Sequence, residues 1–180
     1  MTKSPREPEL IVALDVPSSD RIPGIIDALP PQITWYKIGL ELFTGEGPSV
    51  MAMLKKRNMN VFMDLKLHDI PRTVARAVTA ASRHGVNLLT VHAGGGREML
   101  KAAAPPAPPA GAAAPIVVAV TTLTSLNDKD LNEMGVTRPL TAHTLSLGEM
   151  AMTAGIGGLV CSPLEAAAFQ GSTMKACITG

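Results

Sequence analysis

Val61-Phe62-Met63-Asp64-Leu65-Lys66 runs on into Leu67-His68-Asp69-Ile70-Pro71, an apolar strand that acquires charge only towards its carboxyl end. Side chains alternate faces along a strand, so Asp64 and Lys66 are expected on one face and Leu65 and Leu67 on the other, against helices. Opposite charges placed inward are costly unless they pair. Asp69 follows on the connecting loop, where Ile70-Pro71 begins a turn. Lys37 closes the preceding apolar run in Trp-Tyr-Lys-Ile-Gly, and parallel pairing of the two runs would lay it beside Asp64. Lys37, Asp64, Lys66 and Asp69 then alternate in sign, with Asp15 nearby. A single Asp/Lys pair reads most simply as a structural salt bridge. Four alternating charges gathered at strand ends point to a preorganised electrostatic site.

The same rhythm repeats along the chain. Leu10–Leu14, Trp35–Ile38, Val61–Lys66, Leu88–His92, Ile116–Thr121, Leu159–Cys161 and Lys175–Thr179 read as strands. Helices are expected between them. One is capped by Ser19 or Asp20 and runs to about Leu29. Others run from Pro48 to about Asn58 and from Pro71 to His84, the latter stopped by Gly85. Glu98–Ala104, Leu140–Ala154 and a segment opened by Pro163 complete the set. Ala102–Pro115 is an uncharged Ala/Pro/Gly tract that its prolines exclude from a helix, so it reads as an irregular connection. Strand-helix alternation implies parallel pairing with right-handed crossovers. Asp-Val-Pro-Ser-Ser follows the first strand where a dinucleotide fold would place a Gly-rich turn, which disfavours that fold. Polar residues at the carboxyl ends of several strands favour a (β/α)8 barrel. A complete barrel takes ~250 residues. With 180 residues and seven strands, the expectation is one α/β barrel domain over 1–180, incomplete by its last βα unit.

Composition narrows the classes. Hydrophobic residues at 46% exclude wholesale disorder. A net charge of +1 and 3% aromatics exclude the basic or base-stacking surface of a general nucleic-acid binder. Cys161 and Cys177 have no second pair, so they form neither a zinc knuckle nor a disulfide framework, and each reads as a buried free thiol. Met1–Pro8 has no apolar signal-peptide core, and no run approaches the ~18 apolar residues of a membrane span. A cytoplasmic protein without membrane partners is expected.

At this point the segments resemble a known family. Asp-Leu-Lys-Leu-His-Asp-Ile-Pro at 64–71 is similar to the signature of the orotidine 5′-phosphate decarboxylases. Val12-Ala13-Leu14-Asp15, Lys37-Ile38-Gly39, Val91–Gly96, Val120–Ser125 and Val160-Cys161-Ser162 resemble its other landmarks in the same order, from about Leu10 to Thr179. The resemblance implies loss of CO₂ from orotidine 5′-phosphate to give uridine 5′-monophosphate, without metal or other cofactor. It implies Lys66 as proton donor to C6, Asp64 holding Lys66 near the substrate carboxylate, and Lys37 completing the network and contacting the ribose. It further implies that Asp15 binds a ribose hydroxyl and Thr124 contacts the base. Asp69, Ile70 and Thr73 would reach into a partner's site across a homodimer. His92 reads equally as a ribose or phosphate contact and as a satisfied rim histidine. His68 has no evident partner in the sequence. Gly94–Gly96 read either as the start of a helix near an anion or as a strand-to-helix turn that needs glycine for steric reasons alone.

The family's next landmark, Thr-Pro-Gly-Ile-Arg, would begin at Thr179, beside the substrate phosphate. A chain ending at Gly180 is therefore expected to lose most turnover. That leaves a second reading, an impaired fragment that binds nucleotide or needs a partner. A third is a Mg²⁺-dependent sugar-phosphate decarboxylase of the same barrel group, which shares Asp-x-Lys-x-x-Asp. His68–Pro71 and Leu123-Thr124-Ser125 favour the orotidylate branch.

Overall fold

The computed structural model describes residues 8–104, 114–169 and 176–179. It divides into two compact units, Met1–Asp64 and Leu65–Gly180.

In the first unit, β1 (Ile11–Ala13), β2 (Trp35–Ile38) and β3 (Asn60–Leu67) are consecutive parallel neighbours, β3 running on past the boundary. Lys37 pairs in register with Ala13 on one side and Phe62 on the other. The expected parallel pairing of these two runs is thus present. α1 (Ile22–Ala28) follows a 3₁₀ turn at Ser19–Arg21. Neither Ser19 nor Asp20 caps it as expected. The Glu46 carboxylate, from a distant part of the chain, holds the start of the 3₁₀ turn instead, accepting the Ser19 amide at 3.1 Å and the Ser18 hydroxyl at 3.2 Å. Glu46 ends α2 (Leu40–Glu46), a helix absent from the sequence reading, and Pro48 precedes α3 (Ser49–Lys56) as anticipated. Val50, Met51 and Leu54 of α3 recur at helical spacing and are buried.

In the second unit, α4 (Pro71–Arg83) leads to β4 (Leu88–His92), β5 (Ile116–Val120), β6 (Gly158–Val160) and β7 (Ala176–Ile178). These four strands are also consecutive and parallel. Four successive residues of β5, Val117 to Val120, are all buried, as in a parallel strand covered on both faces. α4 turns Val74, Val78 and Ala81 inward and packs against α5 (Gly96–Ala103). α6 (Asp128–Glu133), also absent from the sequence reading, starts with a capping box between Asn127 and Asp130. α7 (Leu140–Thr153) and α8 (Pro163–Ala166) begin where expected. Within α7, Gly148 is a contact requirement. A Cβ there would lie 2.5 Å from the Phe169 ring, closer than real side chains approach. Most of the Ala102–Pro115 tract, 105–113, lies outside the described residues, as does Lys175 of the expected seventh strand. Among the described residues no helix is long and apolar enough to cross a membrane.

Candidate active site

The first unit brings three of the expected residues together. Lys37 reaches from β2 to two carboxylates, Asp15 at 3.2 Å and Asp64 at 3.8 Å. The two pairs differ in environment. The Asp15 side chain is 67% exposed, whereas that of Asp64 is only 13% exposed. Water screens the first pair strongly, and exposed pairs contribute ~0–1 kcal/mol to stability. Asp64 is the more buried of the two carboxylates, so Lys37 matters most beside it.

Lys66 stands two residues further along β3, at the start of the second unit. Its φ is 50°, in the left-handed region that a non-glycine residue rarely occupies. Regular alternation does not carry through such a residue, so the pleat alone does not place Asp64 and Lys66 on one face. The backbone is held instead by a tertiary bond. The Lys66 amide donates to the Thr90 hydroxyl at 2.8 Å, and Thr90 is fully buried in β4. A strained residue near the carboxyl end of a strand, fixed by a buried hydroxyl, is the kind of conformation that persists where geometry serves function.

The connection after Lys66 is equally specific. Asp69 accepts the amide of Ile70 through its own carboxylate at 2.6 Å, and the Thr73 amide donates to the Ile70 carbonyl at 3.0 Å. This turn presents Ile70, 66% exposed, and Thr73 on the first turn of α4 to the surface. His68, which had no partner in the sequence reading, stacks on His92 with ring centroids 5.1 Å apart and planes 14° from parallel. The Gly94 amide donates to His92 Nδ1 at 3.1 Å, so that nitrogen carries no proton. Gly94 and Gly95 belong to a 3₁₀ turn, and a side chain at Gly95 would collide with Met99. Close packing thus accounts for Gly95, whereas Gly96, at φ 82° with open space around it, uses the backbone freedom of glycine. Further along, Thr124 is exposed and lines a cavity of about 360 Å³ with Thr122, Thr141, Ser162 and Glu165 among its walls. Sequence reasoning missed Thr90, although a lone hydroxyl inside the apolar run Leu88–Val91 was a readable signal. Among the described residues no group of three or more His, Cys, Asp or Glu side chains is placed to hold a metal ion.

His92 makes a testable contribution. Burial, then His68, then Lys66 hold its imidazole below the ordinary value of 6.5. The folded state therefore prefers neutral His92, and the unfolded chain takes up the proton first as pH falls. The associated stability is present above about pH 6.5 and is lost as pH falls through the lowered folded value. In His92→Asn, Oδ1 can still accept the Gly94 amide but no longer titrates. Thermal midpoints of this variant should fall less between about pH 7 and pH 5 than those of the parent. Equal falls would show that His92 does not carry this part of the acid sensitivity.

Parallel strands separated by helices, with lysines and aspartates at or near their carboxyl ends, define an α/β enzyme of the barrel class. Comparison with known proteins makes this specific. The model of the orotidine 5′-phosphate decarboxylase / HUMPS family matches residues 8–180, and the chain belongs to that family. Orotidine 5′-phosphate decarboxylase of Idiomarina loihiensis is 42% identical over 159 residues, covering 88% of this chain and 68% of that protein. The Nostoc sp. protein of the same name is 44% identical, again covering 88% and 68%. The crystal structure of orotidine 5′-phosphate decarboxylase from Lactobacillus acidophilus superposes with a TM-score of 0.85 at 36% identity. It covers 95% of this chain and 79% of that one. The fold class is that of the (β/α)8 barrel, of which seven strands lie among the described residues. The chain thus spans about two thirds of the length of the curated relatives it matches.

Proposed function

We propose that this chain decarboxylates orotidine 5′-phosphate to uridine 5′-monophosphate in de novo pyrimidine biosynthesis, as a carboxy-lyase that uses no cofactor. The observation that carries this reading is Lys66, held at φ 50° by a buried Thr90 within a segment of the family's signature. In the reaction the C6–carboxylate bond breaks, CO₂ departs and the electron pair stays on C6. That carbanion has little resonance stabilisation, so a fixed ammonium nearby lowers the barrier more than it stabilises the substrate. Lys66 supplies that charge and then its proton to C6. Asp64 lies near the substrate carboxylate and orients Lys66. Lys37 completes the charge network and contacts the ribose. Asp15 binds a ribose hydroxyl, and Thr124 contacts the base.

The protein acts as a homodimer, with Asp69, Ile70 and Thr73 contributing to the partner's site. The exposed apolar Ile70 beside the hydrogen-bonded Asp69 turn supports this reading. A single domain over 1–180 accords with one family model spanning 8–180. Two unbridged thiols fit a reducing, cytoplasmic setting.

The test is conversion of orotidine 5′-phosphate by the purified protein, followed by ultraviolet absorbance with a metal chelator present. Uridine 5′-monophosphate should form at a rate the chelator leaves unchanged. Activity on sugar phosphates that requires Mg²⁺ would move the chain to the metal-dependent branch. Failure of a folded sample to convert the nucleotide would sink the reading.

A further inference from the structure

Neither cysteine has a part in the chemistry above, and the two lie together. Cys161 immediately follows β6 and Cys177 is in β7, with their sulfurs 3.8 Å apart. The register pairs Leu159 with Cys177, and the Cys161 amide donates to the Ile178 carbonyl at 3.1 Å. Residues two apart share a face, so both thiols lie on the same side of this strand pair. Both were expected to be buried. The structure corrects this for one of them: Cys161 is 4% exposed, while Cys177 faces solvent. Burial, then the neighbouring Cys177, push the Cys161 thiol up to about 12. Cys161 is thereby shielded from direct attack by reagents in solution, whereas Cys177 is open to them.

We propose that Cys161 and Cys177 form a cross-strand dithiol site that small disulfides of the glutathione type oxidise to an intramolecular disulfide. The exposed Cys177 loses its proton, and its thiolate attacks one sulfur of the small disulfide. That S–S bond breaks, a mixed disulfide forms on Cys177, and the first small thiolate leaves and takes up a proton. Cys161 then attacks the Cys177 sulfur, and its proton passes to the second departing thiolate. Two protein thiols are oxidised and one small disulfide is reduced to two thiols. The sulfurs must close by about 1.8 Å to reach the ~2.05 Å bond length. The bond would tie β7 to the end of β6, next to Ser162. That residue opens α8 through a capping box with Glu165 and lines the cavity that contains Thr124.

The purified protein is incubated with oxidised glutathione, quenched in acid, alkylated and weighed by mass spectrometry, with peptide maps run without reductant. The expected product is lighter by two hydrogens, joins the Cys161 and Cys177 peptides within one chain, and is restored by dithiothreitol. Cys161→Ala should instead stop at one glutathione on Cys177. Cys177→Ala should leave Cys161 a thiol, modified at least about tenfold more slowly. A stable glutathione adduct on the unsubstituted protein, two unmodified thiols, or a bond between two chains would overturn the proposal. If Cys161→Ala does not fold, the mass of the unsubstituted protein decides alone. The readout is independent of catalysis, so its failure would leave the decarboxylase reading untouched.

Discussion

Lys66→Ala should lower kcat for decarboxylation by about 10⁴-fold, and Lys66→Gly should lose as much while folding more stably than the alanine variant. The activity loss combines two effects of one side chain. Proton donation by a positioned group contributes about 10²–10⁴-fold, and a fixed charge beside a developing anion about 10²–10³-fold. Both vanish with the ammonium, so the larger sets the floor of the loss. The stability difference has another origin. At φ 50° any Cβ crowds the following carbonyl, at a cost of ~1–2 kcal/mol. Glycine relieves that strain but adds ~0.4–1 kcal/mol of unfolded-chain entropy. Relief wins narrowly, leaving glycine about 1 kcal/mol more stable than alanine, readable as a shift in denaturant midpoint. Comparing alanine with glycine cancels the lost charge, because both variants lack it. If alanine were as stable as glycine, the backbone at this position would carry no strain. If Lys66→Ala retained activity within tenfold, the proton would have to come from elsewhere.

The strands were readable because their pattern is physical rather than statistical. Trp35–Ile38 and Leu88–His92 are largely apolar runs ended by glycine and by histidine, and β2 and β4 occupy those residues. The Lys37–Asp64 pair was legible because parallel pairing brings the ends of the two runs together: Lys37 lies in register with Phe62, and its long side chain reaches Asp64 two residues further on. Leu40–Glu46 was not, because seven residues containing Gly45 and bounded by Gly39 and Gly47 give too little helical signal. Asp128–Glu133 was missed despite a capping box that the sequence does display. The conformation of Lys66 was invisible in principle. Lysine has no preference for the left-handed region, and tertiary bonding holds it there. The His68–His92 stack is likewise a tertiary fact, joining residues 24 apart in sequence whose types alone suggest no partnership.

Thr90→Val should lower kcat by about 10–100-fold, with a smaller change in KM, and Thr90→Ser should recover most of the loss. Thr90 has no solvent exposure, and its hydroxyl accepts the Lys66 amide at 2.8 Å. Valine keeps the shape of the side chain but turns that acceptor into a methyl group. An amide left without this partner costs about 1–3 kcal/mol, and the left-handed turn at Lys66 gives the backbone a reason to relax. Relaxation would swing the ammonium away from the place proposed for it beside C6, where a misplacement of ~1 Å is enough for a 10²-fold loss. Threonine at this position has no exposed surface with which to meet a substrate, so it acts by positioning. The serine variant separates this from packing. Serine keeps the acceptor and opens a methyl-sized hole, whereas valine fills the hole and removes the acceptor. A packing role would make serine the worse variant, and a positioning role makes valine worse. Steady-state kinetics on the two proteins, with folding checked by denaturant midpoint, therefore decides whether the buried hydroxyl holds Lys66, the proposed proton donor, in place.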